Sequence, residues 1–389
     1  MDWSSLPEHI VIQIMSKLLQ LNDRYHASLT CKAWNNCFHS SCLWHTVVFK
    51  FLSERNQSLL GSLNKYGHFF KHLTVVLDQS EEYNRQNSIK LLKYLSLLPN
   101  RRLTTLTIIF TSKNPLFYAG TEFVQALREL FDTSSLKDAE ESPAQLTQVS
   151  LEHLDVAYDD TVFDYLSENN PKLQMLNIQN HVLVCKVTCD CMLRLVQRCH
   201  YLQELHLFYS CLSDNVLFAF AESNRPPTMK RMSLKCRIED KYHSDLSPEA
   251  WSAFRQAHPQ LEVKLVFDHT CPKDRVMEIM QPEIPVAHLH LDTFTMLNDE
   301  VIQTAKYYSD TLQSLVLRTV SSNSLNESLI YMATHCKKIG KLYVYCVLEP
   351  WVIERLFELC PKLKETGNYI LKDKKEPEPW VVGIEDDYW

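Results

Sequence analysis

No glycine-rich phosphate cradle can be assembled from this chain. Its six glycines in 389 residues, Gly61, Gly67, Gly120, Gly340, Gly367 and Gly383, are too scattered for the loops that let a backbone approach phosphate closely. Nucleotide-dependent enzymes are disfavoured accordingly. Long apolar runs are missing as well, since nothing approaches the ~18 continuous apolar residues needed to cross a bilayer. Met1 to Pro7 lacks the basic and apolar regions of a secretory signal, so a soluble intracellular protein without a membrane partner is expected. There is no dense Lys/Arg block, and a net charge of −7 provides no broad positive field for phosphates, so nucleic acid is not an expected partner.

Paired C-x2-C elements are absent too. The densest Cys/His region, His181, Cys185, Cys189, Cys191, Cys199 and His200, holds enough donors for zinc, but its spacing is C-x3-C-x-C. Asp268-His269-x-Cys271 is a thinner alternative. No nucleophile elbow or protease signature surrounds any of the 13 cysteines. We therefore expect no cofactor, no metal and no catalytic residue, with the cysteines serving as small buried hydrophobes in a reducing compartment.

Hydrophobic residues make up 45% of the chain and charged residues 22%, the balance of a globular protein with a sizeable core. At the N-terminus, Ser5 and Glu8 stand at capping-box spacing, with Pro7 in the expected first turn. Ile10, Val11, Ile14, Met15, Leu18 and Leu19 follow as a stripe of helical period. Asn22-Asp23 caps a second helix through Tyr25, Ala27 and Leu29, and Trp34 and Phe38 continue a third apolar face. By periodicity alone the stripe is equally well the core of a small three-helix bundle, although about 45 residues is little for a bundle that stands alone.

These residues also carry a resemblance. Leu6-Pro7-Glu8, Leu18, Asp23-Arg24, Ala27, Leu29, Cys31-Lys32-Ala33-Trp34 and Leu43-Trp44 resemble the F-box pattern over roughly residues 3 to 46. Thr30 departs from the usual aliphatic residue and Lys32 from the commoner arginine; neither change removes an apolar anchor. The resemblance implies that Leu6, Pro7, Ile10, Ile14 and Leu18, with Leu29 and Trp34, bind a Skp-type ligase adaptor or support that surface.

An L-x-x-L-x-L-like unit recurs along the rest of the chain. Phe70-x-x-Leu73-x-Val75 and Leu103-x-x-Leu106-x-Ile108 are early copies, and others begin at Leu151, Leu173, Leu202, Met229, Leu261, Val286, Leu312, Ile339 and Leu363. From Leu173 onward the steps are 29, 27, 32, 25, 26, 27 and 24 residues, averaging about 27, within the leucine-rich-repeat range. Helical segments lie between, such as Cys191–Val196, Trp251–Phe254, Val301–Ala305 and Val352–Phe357. Their starts carry Ser213-Asp214, Ser247-Pro248-Glu249, Asn298-Asp299-Glu300 and Asn326-Glu327. Proline halts them at Asn170-Pro171, His258-Pro259 and Cys360-Pro361, with Cys199 and Cys336 at the equivalent place. The expected fold is α/β: an all-α F-box over 1–46, then a curved solenoid of strand–helix repeats over 47–371. A polar loop insertion near 132–148 interrupts it, and a C-terminal cap or tail fills 372–389.

Alternation along each strand names a concave face. It consists of His153, Asp155, Asn177, Gln179, Glu204, His206, Phe208, Arg231, Ser233, Lys235, His288, His290, Asp292, Arg318, Lys341, Tyr343 and Tyr345. Mixed charge with aromatics suits a protein substrate, and for any single residue a solvated strand position is the plainer reading. The tail ends in Trp389, which either helps cap the last repeat or anchors a partner.

Together the two regions are similar to the F-box and leucine-rich-repeat proteins. Lys113–Gly120, Gln281–Leu289 and Lys372–Trp380 lie outside the generic repeat and point to one particular member. The resemblance implies a non-catalytic substrate receptor of an SCF-type ubiquitin ligase, joined through its adaptor to cullin and RING subunits and working in the cytoplasm or nucleus. Its substrate would be bound for ubiquitylation and proteasomal degradation. The alternatives are a repeat scaffold that recruits no ligase, and a metal-dependent enzyme using the 181–200 cluster.

Overall fold

The computed structural model describes residues 3–18, 20–53, 60–113, 120–136, 143–182, 184–222, 226, 228–238 and 245–373. Two compact units divide the chain: Met1–Lys235 with Tyr242–Leu261, and Cys236–Lys241 with Glu262–Trp389. The C-terminal tail from residue 374, Trp389 included, and residues 137–142 of the polar insertion lie outside the described residues.

The first unit opens with helices α1 (Glu8–Ser16), α2 (Leu21–Ser28) and α3 (Lys32–Phe38). The expected capping box does not form. Pro7 is itself the N-cap of α1, its carbonyl accepting from the Ile10 and Val11 amides, while Ser5 ends a short 3-10 turn. Likewise Gln20 caps α2, which puts Asp23 inside the first turn, where its charge complements the helix dipole. Val11 and Met15 point inward with no exposed surface. Arg24, 5% exposed, ties the helices to the chain that leaves them: its Nε donates to the Leu18 carbonyl at 2.7 Å, and its Nη1 to the carbonyls of Leu43 and of Thr46, the latter at 3.2 Å.

Parallel strands then run in chain order through the same unit: β1 (Thr46–Phe51), β2 (His72–Leu77), β3 (Thr105–Phe110), β4 (Gln148–His153), β5 (Met175–Asn177), β6 (Glu204–Phe208) and β7 (Arg231–Cys236). The helices between and after them are α4 (Leu63–Tyr66), α5 (Glu82–Ser96), α6 (Thr121–Phe131), α7 (Asp160–Asn169), α8 (Cys189–Arg198), α9 (Asp214–Phe220) and α10 (Pro248–Ala257). One apolar position continues across the ladder: Val47, Leu73, Leu106, Val149, Leu176, Leu205 and Met232 are successive register partners, each at most 1% exposed. No single repeat could bury that row alone, so the stack is the core.

This register corrects one repeat. Val149, not Leu154, pairs with Leu106, so the copy placed at Leu151 starts at Leu146. The error arose because Leu151, Leu154 and Val156 are all buried and mimic the motif one step late.

The second unit continues the pattern with β8 (Glu262–Phe267), β9 (Val286–Leu291), β10 (Ser314–Leu317), β11 (Lys341–Val347) and β12 (Tyr369–Lys372), separated by α11 (Lys273–Ile279), α12 (Asn298–Tyr308), α13 (Asn323–His335), α14 (Pro350–Leu359) and α15 (Lys362–Thr366). Leu265, Leu289, Leu315 and Leu342 form its buried row. The copy at Leu363 is helical, and Gly367 at φ +69 takes the left-handed turn from α15 toward β12. α13 begins three residues before Asn326, with Ser322 as its cap accepting from the Leu325 amide at 3.1 Å.

The helix-end joints at Asn170 and His258 are buried, and their side chains bond back to the preceding repeat. Asn170 donates to the Leu166 carbonyl and accepts from the Leu146 amide, at 2.9 and 2.7 Å. His258 bridges the Phe220 carbonyl at 3.0 Å and the Met229 amide at 3.3 Å. Cys199, Cys336 and Cys360 fill the same place with a thiol.

Candidate interaction surfaces

α1 presents one face to the module's interior and another outward. Leu6, Ile10 and Ile14 recur every four residues, and with Leu18 just beyond the helix they remain half-buried, while Pro7 is exposed. Leu29, at the C-cap of α2, is 60% exposed. Trp34 is half-buried on α3, its Nε1 donating to the Trp3 carbonyl at 3.0 Å. All seven residues assigned to the adaptor surface thus retain accessible area. Trp3 and Tyr25, exposed by 63% and 52%, extend the apolar character of the module's surface. Neither stood in the sequence-derived set: Trp3 precedes the first helical stripe, and Tyr25 enters only as part of the second helix.

On the sheet face of the first unit, polar side chains largely satisfy one another. Asn177 donates to Glu152 at 2.9 Å. Gln179 donates to the carbonyls of Leu207 and Ser233, and its Oε1 accepts from the Ser233 hydroxyl at 3.1 Å. His206 Nε2 lies 2.8 Å from Glu204, whose second oxygen pairs with the exposed Arg231. Burial pushes the Glu204 carboxyl up, but these two partners outweigh it and hold it at about 2. Asp155 behaves similarly: burial raises it, and the ring and amide of His181 more than compensate.

Asn177, His206 and Phe208 were expected on an accessible face, yet their exposures are 6%, 5% and 2%. Strands only ~4.8 Å apart let ladder neighbours cover short side chains; His206 stands between Asn177 and Ser233. Phe208 buries its ring at the end of β6. His153 reaches the face through a register shift that pairs it with Ile109.

Alternation applied to β2 and β3 would also have named Thr74, Val76, Thr107 and Ile109, all half-buried. The sequence-derived set began only at β4.

In the second unit, the Arg318 guanidinium lies 4.9 Å from the centroid of Tyr345 and 3.4 Å from Asp292, while the Lys341 ammonium lies 4.6 Å from the centroid of Tyr343. The two tyrosines meet edge to face at 6.5 Å. His290, expected to be accessible, is 9% exposed. Burial, then the charges of Lys264 and Lys341, depress it well below its usual range; burial similarly lowers the neighbouring His288 to about 4. Burial thus disfavours the charged form of both imidazoles, while Arg318, Tyr343 and Tyr345 each keep accessible surface. Phe294 at φ +55, Met296 and Val320 add exposed apolar area where β9 and β10 end, with no periodic signal to announce them.

The 181–200 donors do not converge on one point. His181 faces Asp155, Cys191 donates to the Asp160 carbonyl, Cys199 to that of Asn170, and His200 bonds the Gln197 carbonyl. Among the described residues, no three Cys, His, Asp or Glu side chains are grouped to hold a metal ion, and no helix is long and apolar enough to cross a membrane.

Residues 3–50 match the F-box-like family model. The chain is 30% identical to F-box/LRR-repeat protein 8 of Homo sapiens over 377 residues, 96% of each chain, and 29% identical to that of Mus musculus over 97% of each. F-box/LRR-repeat protein 21 of Mus musculus is 26% identical, with 88% of this chain and 76% of the relative covered.

Proposed function

This chain belongs to the F-box/LRR-repeat proteins, and from that premise we propose that it is the substrate-recognition subunit of an SCF-type ubiquitin ligase. The observation that supports this reading best is the outward stripe Leu6, Ile10, Ile14 and Leu18, still half accessible on the part of the chain that matches the F-box-like model. Burying such a stripe against a partner contributes roughly 25 cal/mol per Å² of apolar surface removed from water. A Skp-type adaptor is the partner it would receive, and cullin and RING subunits would follow through that adaptor.

The repeats would hold a protein substrate on the sheet faces, using Arg231 in the first unit and Arg318, Tyr343 and Tyr345 in the second. Arg and Tyr are favoured energetic anchors, and each of these four retains accessible surface. Catalysis would belong to the other subunits. The receptor would add proximity by raising the effective concentration of substrate lysines near the charged conjugating enzyme, ahead of proteasomal degradation in cytoplasm or nucleus.

Co-purification with adaptor and cullin tests the reading. The tagged chain should retain both, and a Leu6→Ala/Pro7→Ala variant of unchanged melting temperature should lose both. Failure of the wild type to retain either would leave a repeat scaffold outside the ligase.

A further inference from the structure

Two cysteines of the first unit meet, and a third begins the adjoining helix, where two successive repeats leave their strands. Cys185 lies in the irregular segment between β5 and α8, Cys189 is the first residue of α8, and Cys211 ends a 3-10 turn after β6. The Sγ atoms of Cys185 and Cys211 are 3.5 Å apart, although the residues lie 26 positions apart in the chain. Cys185 is half-buried and Cys211 has no exposed surface. Cys189 is engaged elsewhere, its thiol within 3.3 Å of the Ser210 carbonyl and 3.1 Å of the Leu212 carbonyl.

We propose that Cys185 and Cys211 are a peroxide-sensitive modification site, joining as a reversible disulfide that ties neighbouring repeats. The sulfurs must close by about 1.5 Å to reach bonding distance, a displacement the irregular segment carrying Cys185 can supply by side-chain rotation. Cys185 is the thiol an oxidant can reach. Its sulfur attacks hydrogen peroxide, the O–O bond breaks, and Cys185 sulfenic acid and one water result. The Cys211 sulfur then attacks the sulfenic sulfur: the S–S bond forms, the S–O bond breaks, and the oxygen leaves as a second water with the Cys211 proton. One peroxide accepts the two electrons that the two thiols lose. A small dithiol reverses the bond by exchange.

The roles follow from placement. The hydrogen bond with Cys185, then burial, raises the Cys211 thiol, which keeps it from being the first to react with peroxide; its proton must pass to the departing sulfenic oxygen as the S–S bond forms. Burial and the Asp190 charge raise Cys189 too, which disfavours it as the first site of attack. The segment so fixed also carries His181, bonded to Asp155, and Lys186, bridged to Asp159. Oxidation would therefore set the geometry of the strand ends beside Asp155. This chemistry is independent of ligase assembly.

The test treats the full-length protein with hydrogen peroxide, blocks remaining thiols, digests it without reductant and identifies linked peptides by mass spectrometry. The Cys185–Cys211 peptide, lighter by two hydrogens, should appear in wild type and in Cys189→Ser, vanish in Cys185→Ser, and disappear on adding dithiothreitol. Cys211→Ala should accumulate dimedone-reactive sulfenic acid at Cys185. If that variant does not fold, the half-buried Cys185→Ser still decides. Oxidation of Cys185 in wild type without the linked peptide, or a dominant Cys185–Cys189 link, would overturn the proposal.

Discussion

The indole of Trp44 stacks on the ring of Tyr66, centroids 3.8 Å apart and planes within 6° of parallel. Trp44 also meets Phe38 edge to face at 5.2 Å and donates its Nε1 proton to the Phe38 carbonyl. Tyr66, from α4, in turn reaches His39 through its hydroxyl at 2.5 Å. The last residues of the F-box and the first turns of the repeats therefore share one aromatic cluster. Trp44→Ala should cost about 3–5 kcal/mol by cavity formation, whereas Tyr66→Phe keeps the stack and should cost only about 1 kcal/mol for the lost hydrogen bond. Denaturant unfolding followed by far-UV circular dichroism measures both, and equal losses would contradict the cavity account.

Arg24 provides a second, polar link across the same junction. With Arg24→Met, the carbonyls of Leu18, Leu43 and Thr46 lose their charged donor, at a cost of about 2–4 kcal/mol. Arg24→Lys should recover little, because a compact ammonium cannot span the sites that the planar fork serves. Comparing the unfolding midpoints of the two variants checks this, and full rescue by lysine would show that charge alone matters.

Most of the architecture was legible because from Leu173 onward a parallel repeat writes its core position every 24 to 32 residues, and rows such as Leu176, Leu205 and Met232 leave no ambiguity. The slip at Leu151 came where Leu151, Leu154 and Val156 offered two registers and only strand pairing could choose. Side-chain coverage was less legible. Alternation tells which way His206 and His290 point but not that Asn177, Ser233 or Val316 will lie beside them in the next strand. The thiol pair was hidden for a similar reason, since Cys185 and Cys211 meet only once two repeats stack.

Two neighbours on α1 should separate binding from folding. Ile14 is half-buried on the outward stripe and Met15 fully buried behind it. Ile14→Ala should weaken adaptor retention several-fold with a small change in melting temperature. Met15→Ala should cost about 2–5 kcal/mol of stability and affect adaptor retention only through the fraction unfolded. Quantitative pull-down beside thermal melting would expose a reversed pattern at once.

Glu204 makes stability depend on acid in a defined direction. Its carboxyl, held at about 2 by His206 and Arg231 against burial, would titrate near 4.3 in the unfolded chain. The unfolded state therefore binds the proton more readily between those values. The carboxylate's contribution, about 2–3 kcal/mol, is fully present above the unfolded value and fades as pH falls toward 2. Glu204→Gln cannot ionise and forgoes that contribution at every pH. Wild type should accordingly melt above the variant at pH 6 to 7, and the gap should narrow steadily below about pH 4. Melting curves of the pair across that range provide the measurement. A gap that stayed constant into acid would mean that packing of the side chain, rather than its charge between His206 and Arg231, is what stabilises β6 and β7.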